Sequence, residues 1–277
     1  MSANNPIGVF DSGLGGLTVV KELVRQLPRE HIVYYGDTAR VPYGTKSKES
    51  IIRFSHENTR ILLKRNVKMV VVACNTSSSY ALVQLRKHFH LPVVGVIDPG
   101  ARKAAEVTRN RKVGVIATPA TVNSRSYAKA IFRYDRAIQV SSQACPLFVP
   151  LVEEGWLRKP VTTAVAREYL KSLRKVGIDT LVLGCTHYPL LKSVLRDVMG
   201  AKVALVDSAT EVAAEVKRIL QERHLLRPSS SSPRGAFGRR EPNGGRARHS
   251  FLISDRPQQF EKTAREFLGY NIKAVKI

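Results

Sequence analysis

Residues 69–82 read MVVVACNTSSSYAL. Five apolar residues, three of them valine, run into Cys74 and then into a hydroxyl-rich stretch able to open a helix. That is the pattern of a strand buried on both faces that feeds a helix. Outward from this stretch, strand-sized apolar runs recur at 7–11, 32–37, 93–98, 113–118, 138–144, 180–185, 203–207, 251–254 and 271–275. Amphipathic stretches lie between most of them, such as 50–64, with Ile51, Phe54, Ile61 and Leu62 on one side, and 162–175. This alternation predicts an α/β fold with mostly parallel sheet. In such sheets ligands sit beyond the carboxyl ends of the strands. The strand-to-helix junctions are therefore where function is to be sought.

Two junctions look like domain crossings. VGVIDPG (94–100) and VALVDSAT (203–210) are apolar runs closing on Asp98 and Asp207. A second α/β domain over 99–207, inserted into a first built from 1–98 and 208–277, explains both. The segment 227–249 is rich in Ser, Pro, Gly and Arg and nearly free of large apolar residues. It reads as a disordered basic loop, since such a composition cannot bury enough surface to fold alone.

No apolar run approaches the roughly 20 residues that cross a bilayer, and MSANNPIGVF lacks the pattern of a secretory signal. A cytoplasmic protein with no membrane partner is expected. The formal net charge is +23, a field that attracts anions and allows weak polyanion binding, although no nucleic-acid motif accompanies it. The segment 227–249 carries six arginines against one glutamate, so most of the charge is spread elsewhere. The three cysteines, Cys74, Cys145 and Cys185, form no CxxC pair and no Cys/His cluster with metal spacing. Neither a bound metal nor a disulfide framework is expected.

The chemistry-bearing feature is a rough internal repeat. MVVVACNTSSSYAL (69–82) and TLVLGCTHYPLL (180–191) both close an apolar strand on a cysteine, then continue with Asn75-Thr76 or Thr186-His187 at a helix start. Free N–H groups and the positive dipole end of a helix favour a thiolate and can hold a carboxylate. A lone cysteine at a strand end is more often a small buried hydrophobe. Two in matched positions, each with a polar cluster after it, read as a functional pair. Cys145, in QACPLFVPLVEE, lacks such a cluster and reads as packing.

Other junctions add polar groups. IGVFDSGLGGLTVV (7–20) brings Asp11 and Ser12 to a strand end ahead of three glycines. A dinucleotide fingerprint would need glycine at 18, where Thr18 stands, so a small ligand fits better. Asp11 could pair with an ammonium or orient a base. YYGDTARVPYG (34–44) offers the Tyr43 hydroxyl and the Gly44 backbone, or simply a turn. VIATPAT (115–121) offers Thr118 and Thr121, which could equally be helix caps. Glu153 and Glu154 in VPLVEEG read as a solvated helix end. His187 beside Cys185 reads either as a partner of that thiol or as a helix-start histidine bonded to nearby backbone.

Taken together, FDSGLGGLTV, DTARVPYG, VVACNTSS, VIATPATV, LVEEG and LVLGCTHYPLL resemble glutamate racemase, in that family's order and over nearly the whole chain apart from 227–249. The resemblance implies two doubly wound α/β domains facing each other across an active-site cleft. It implies L- and D-glutamate interconversion for peptidoglycan synthesis, without pyridoxal phosphate, metal or other cofactor. It implies that Cys74 takes the proton from D-glutamate with help from Asp11, and Cys185 from L-glutamate with help from His187 and Glu153. Asp11, Ser12, Tyr43, Gly44, Asn75, Thr76, Thr186 and His187 match ligand contacts. Family members are often homodimers.

Elementary physics agrees with a thiol pair. A base and an acid on opposite faces of Cα would place their sulfurs about 7 Å apart. Two thiolates at that distance repel by about 2.4 kcal/mol at an effective dielectric of 20. That favours one thiolate and one thiol. An aspartate-type racemase, or a nucleic-acid-binding protein with a vestigial site, are the competing readings.

Overall fold

The computed structural model describes residues 1–228 and 247–277, so most of the basic segment lies outside the described residues. In chain order the elements are β1 (Ile7–Asp11), α1 (Leu17–Gln26), β2 (Ile32–Gly36), α2 (Lys48–Leu63), β3 (Met69–Val72), α3 (Asn75–Tyr80), α4 (Leu82–His88), β4 (Val93–Gly95), α5 (Ile97–Val107), β5 (Lys112–Ala117), α6 (Pro119–Ser124), α7 (Ser126–Tyr134), β6 (Gln139–Ala144), α8 (Phe148–Glu153), α9 (Pro160–Val176), β7 (Thr180–Gly184), α10 (Lys192–Met199), β8 (Ala204–Asp207), α11 (Ser208–Glu222), β9 (His249–Ile253), α12 (Pro257–Leu268) and β10 (Ala274–Lys276).

The strands form two sheets, ordered β10-β9-β2-β1-β3-β4 and β6-β5-β7-β8. Every pairing among the described residues is parallel. Side chains alternate across each sheet, as a period of two requires. Val9, Met69 and Val71 pack with α1 and α11 on one face, while Phe10, Val70 and Val72 pack with α2 and α4 on the other. In the smaller sheet Val113, Val115 and Val182 face α5 and α7, whereas Ile116, Leu181 and Leu183 face α9 and α10. Apolar side chains on both faces explain why these strands read as continuous hydrophobic runs.

Helix signals follow the sequence. Ser47 caps α2, accepting from the Ser50 N–H at 3.2 Å. Pro160 opens α9, and Gly177 closes it at φ 71°. Asp207 caps α11, accepting from the Ala209 N–H at 2.9 Å.

The strand order places the site. In the larger sheet the chain runs from β1 outward to β2, then crosses to β3 on the other side of β1. In the smaller one it runs from β5 to β6, then crosses to β7. The order reverses between β1 and β3 and between β5 and β7. At such switch points the connections leave in opposite directions and open a crevice. Asp11-Ser12 and Cys74 end the first pair; Thr118 and Cys185 end the second.

Some expectations are corrected. The run at 93–98 stops at Gly95, because the Val96 N–H turns to the Ser78 hydroxyl, 3.3 Å away, and leaves the ladder. Asp98 therefore closes no strand; it sits in the first turn of α5 and bonds Arg133 and Tyr134 of α7. Of the basic segment 227–249 only the two ends are described, and both are tied to the first sheet. Arg227 donates its backbone N–H to Glu30 at 2.8 Å, and His249 already pairs in β9 with Ile32.

Candidate active site

Cys74 is the residue before α3, in extended backbone, and its carbonyl accepts the Ser78 N–H at 2.9 Å. Its thiol faces the Ser12 hydroxyl at 3.8 Å. Asp11 is fully buried beside it, with Oδ2 accepting the Gly13 N–H at 3.0 Å. The other carboxylate oxygen, Oδ1, has no protein partner, nor has Asn75 Nδ2, the next polar side chain after Cys74. Buried polar groups are normally paired. An acceptor and a donor left open around one thiol mark a place that a ligand with complementary groups completes.

The second cluster is built differently from the first. Cys185 lies three residues ahead of a short 3-10 turn, Tyr188–Leu191, which His187 precedes directly, rather than at the start of an α-helix. His187 Nδ1 lies 3.8 Å from the Cys185 sulfur, and its Nε2 lies 3.0 Å from Glu153 Oε1. Glu153, a solvated helix end by its local sequence but the partner of His187 by the family resemblance, stands half-buried at the end of α8 and meets that residue 34 positions later. Glu154 is exposed.

Three contacts knit the two clusters together. A Cβ built on Gly15 would fall 2.2 Å from Thr186 Oγ1 and 2.5 Å from His187 Nδ1, so the loop after β1 fits against the second cluster only as glycine. Thr18, the residue that breaks the dinucleotide fingerprint, donates to the Thr186 carbonyl at 3.1 Å. Thr76 Oγ1 lies 3.0 Å from Thr118 Oγ1 and 3.3 Å from Thr121 Oγ1, and Gly44 backs onto Thr118. The predicted residues Asp11, Ser12, Gly44, Cys74, Asn75, Thr76, Thr118, Thr121, Glu153, Cys185, Thr186 and His187 thus lie around the two switch points.

Tyr43 is the exception. Its hydroxyl is spent on Asp37 and accepts from Asn58 Nδ2 at 3.0 Å, so that hydroxyl is not free for a ligand. Asp37 is further held by Arg40 and Ser254. Cys145 is fully buried in the apolar core beside Phe148 and Val152.

The electrostatics are asymmetric. Burial, reinforced by the Asp11 carboxylate, pushes the Cys74 thiol up to about 12. This reverses the direction expected of a helix start. α3 has only six residues, and desolvation outweighs its end charge. Burial likewise raises Asp11, against the pull of the His187 charge and the backbone N–H groups of its loop. Burial alone would lower His187, but its hydrogen bonds to Cys185 and Glu153 win and bring it to about 10. At neutral pH the site holds a Cys74 thiol on one side and an imidazolium against the Cys185 sulfur on the other.

Sequence reasoning missed Tyr127, whose hydroxyl donates to Asn75 Oδ1 at 2.7 Å. It reads as one apolar-face residue of α7, and nothing local singles it out.

A family model described as Asp/Glu/hydantoin racemase matches residues 7–216. A glutamate racemase of Geobacter metallireducens is 51% identical over 263 residues, covering 95% of this chain and 92% of that protein. A glutamate racemase isoform from Bacillus anthracis superposes with a TM-score of 0.91 at 39% identity, over 99% of this chain and 98% of that one. The Francisella tularensis glutamate racemase, solved in complex with D-glutamate, gives 0.88 at 36% identity, over the same shares. The chain belongs to the Asp/Glu/hydantoin racemase family, among its glutamate racemases.

Proposed function

We infer that the protein interconverts L- and D-glutamate and so supplies D-glutamate for peptidoglycan synthesis, with Cys74 and Cys185 as the acid–base pair. The observation that carries the mechanism is the unequal environment of the two sulfurs. From L-glutamate, Cys185 takes the α-proton while the Cys74 thiol delivers its own to the opposite face. Cys74 is suited to that role because burial and Asp11 keep it protonated. His187, held between Cys185 and Glu153, keeps a positive charge against the sulfur that acts as base. From D-glutamate the roles reverse, and the substrate ammonium is the natural partner of the open Asp11 Oδ1. The carbanion that forms is stabilised by hydrogen bonds to its carboxylate, for which Asn75, Thr76 and Thr186 are the donors at hand. Thr118, Thr121, Ser12 and Gly44 complete the walls.

Racemisation assayed with a metal chelator and without pyridoxal phosphate tests the reading. Turnover of L-glutamate well above that of L-aspartate supports it. Loss on chelation with recovery on adding one metal contradicts the thiol mechanism, and preference for aspartate contradicts the substrate.

The division into a first domain (1–98 with 208–277) and a second (99–207) is part of the same proposal, each sheet being the core of one domain. So are a cytoplasmic location, a homodimer and weak polyanion binding. For the last, Arg167, Lys171, Arg174 and Lys175 stand at i, i+4, i+7 and i+8 on the exposed face of α9. Salt-dependent retention on heparin, reduced when the four are changed to glutamine, supports it; unchanged retention contradicts it.

A further inference from the structure

We propose that Tyr127 is a positioning residue of this racemase: its hydroxyl fixes the Asn75 side chain so that the Asn75 amide NH2 is presented to a carboxylate of the substrate. The inference rests on the glutamate reading above and extends it to a residue outside every motif that carries that reading.

The geometry has three parts. Tyr127 donates to Asn75 Oδ1 at 2.7 Å, and both side chains are buried. An amide has one oxygen and one nitrogen end, so a donor committed to the oxygen leaves the NH2 pointing away from it. That NH2 is buried and without a protein partner. An unpaired buried donor is destabilising, and a bound acceptor removes that cost. A carboxylate oxygen is the acceptor that the substrate brings.

The phenol keeps its proton for Asn75, and its hydroxyl also has the Ser208 side chain as a hydrogen-bond partner. Burial holds its pKa well above the ordinary value, so the proton is in place throughout the working pH range.

The position of the ring is also reserved. Tyr127 packs with Ile97, Val182 and Val206 in the core of the smaller sheet. A Cβ on Gly184 would fall 3.0 Å from its Cε2, and one on Gly100 would fall 3.5 Å from its Cε1. Gly184 directly precedes Cys185, and Asn75 directly follows Cys74. One side chain therefore rests its ring against the strand end that carries one thiol and holds the residue after the other. It sets a substrate donor on the Cys74 side from a scaffold on the Cys185 side.

The test is Tyr127→Phe, which keeps the ring in its slot and removes only the hydroxyl, alone and combined with Asn75→Ala. Tyr127→Phe should lower kcat/KM about tenfold or more, mostly through KM. The fall must be equal from L- and D-glutamate, because no variant changes the equilibrium between enantiomers. The melting temperature should stay close to that of the parent. In the Asn75→Ala background the same change should cost nothing further, since there is no amide left to orient. Kinetics within twofold of the parent would overturn the proposal, as would losses that multiply in the double variant, since Tyr127 would then act independently of Asn75. An inactive parent protein would instead refute the glutamate reading itself, so the two failures are distinguishable.

Discussion

Gly15 and Thr186, 171 positions apart, approach so closely that a Cβ on the glycine would lie 2.2 Å from the threonine hydroxyl. The loop that carries Asp11 and Ser12 beside Cys74 thus also forms the wall behind Thr186 and His187. Gly15→Ala should displace that wall and lower kcat/KM at least a hundredfold, because sub-ångström errors in placing catalytic groups are costly. Circular dichroism should show an unchanged fold. Activity within threefold of the parent would mean that Thr186 and His187 move aside without consequence.

His187 predicts a pH dependence of stability. Its ordinary value is 6.5, and in the folded protein it stands at about 10. The folded state binds the proton more tightly, so the stabilisation is fully present below pH 6.5 and is lost as pH rises through about 10. The melting temperature should therefore fall across that window. In His187→Asn the fall should be smaller, which thermal melts at half-unit intervals would record. Equal slopes for parent and variant would show that His187 is not the group responsible.

The three cysteines should separate by role. Cys74→Ser and Cys185→Ser should each lose several orders of magnitude in racemisation, since a serine hydroxyl is a far poorer proton acceptor at neutral pH. Cys145→Ser, in the apolar core, should keep kcat/KM within threefold and lower the melting temperature instead. Steady-state kinetics with parallel melts check both. Near-normal turnover of either of the first two variants would contradict their assignment.

What the sequence made legible follows from the range of the interactions involved. The ten strand positions and the two cysteine junctions were readable because apolar runs and polar clusters are local patterns. Strand order was not, because pairing is decided by packing between distant segments. The crevice between β1 and β3 therefore emerges only from the fold. Glu153 read locally as a solvated helix end, and its pairing with His187 came only from the family resemblance, because the two lie 34 residues apart. Tyr43 showed its hydroxyl but not that Asp37 takes it. The direction of the Cys74 shift was missed because a helix start is visible in sequence and burial of a carboxylate beside the thiol is not. Asp98 followed an apolar run, yet the Ser78 side chain ends that strand three residues earlier.

Lys68 offers a test away from the cleft. Its ammonium is fully buried, donating to Glu30 at 2.5 Å, to the Ala3 carbonyl at 2.7 Å and to the Leu225 carbonyl at 2.8 Å. Lys68→Met should leave Glu30 buried without its cation and cost about 3–5 kcal/mol. Adding Glu30→Gln should recover part of that loss. Denaturant titration measures both, and a single variant as stable as the parent would show that the pair is dispensable.

The central claim is that two thiols on opposite faces of Cα exchange protons with the substrate. The direct measurement is racemisation of L-glutamate in heavy water, stopped early, with the isotope at Cα determined separately for each enantiomer. If Cys185 removes the proton and Cys74 delivers one equilibrated with solvent, newly formed D-glutamate carries deuterium while the remaining L-glutamate is mostly unlabelled. D-glutamate that forms with its original hydrogen would show one group serving both faces and would contradict the account.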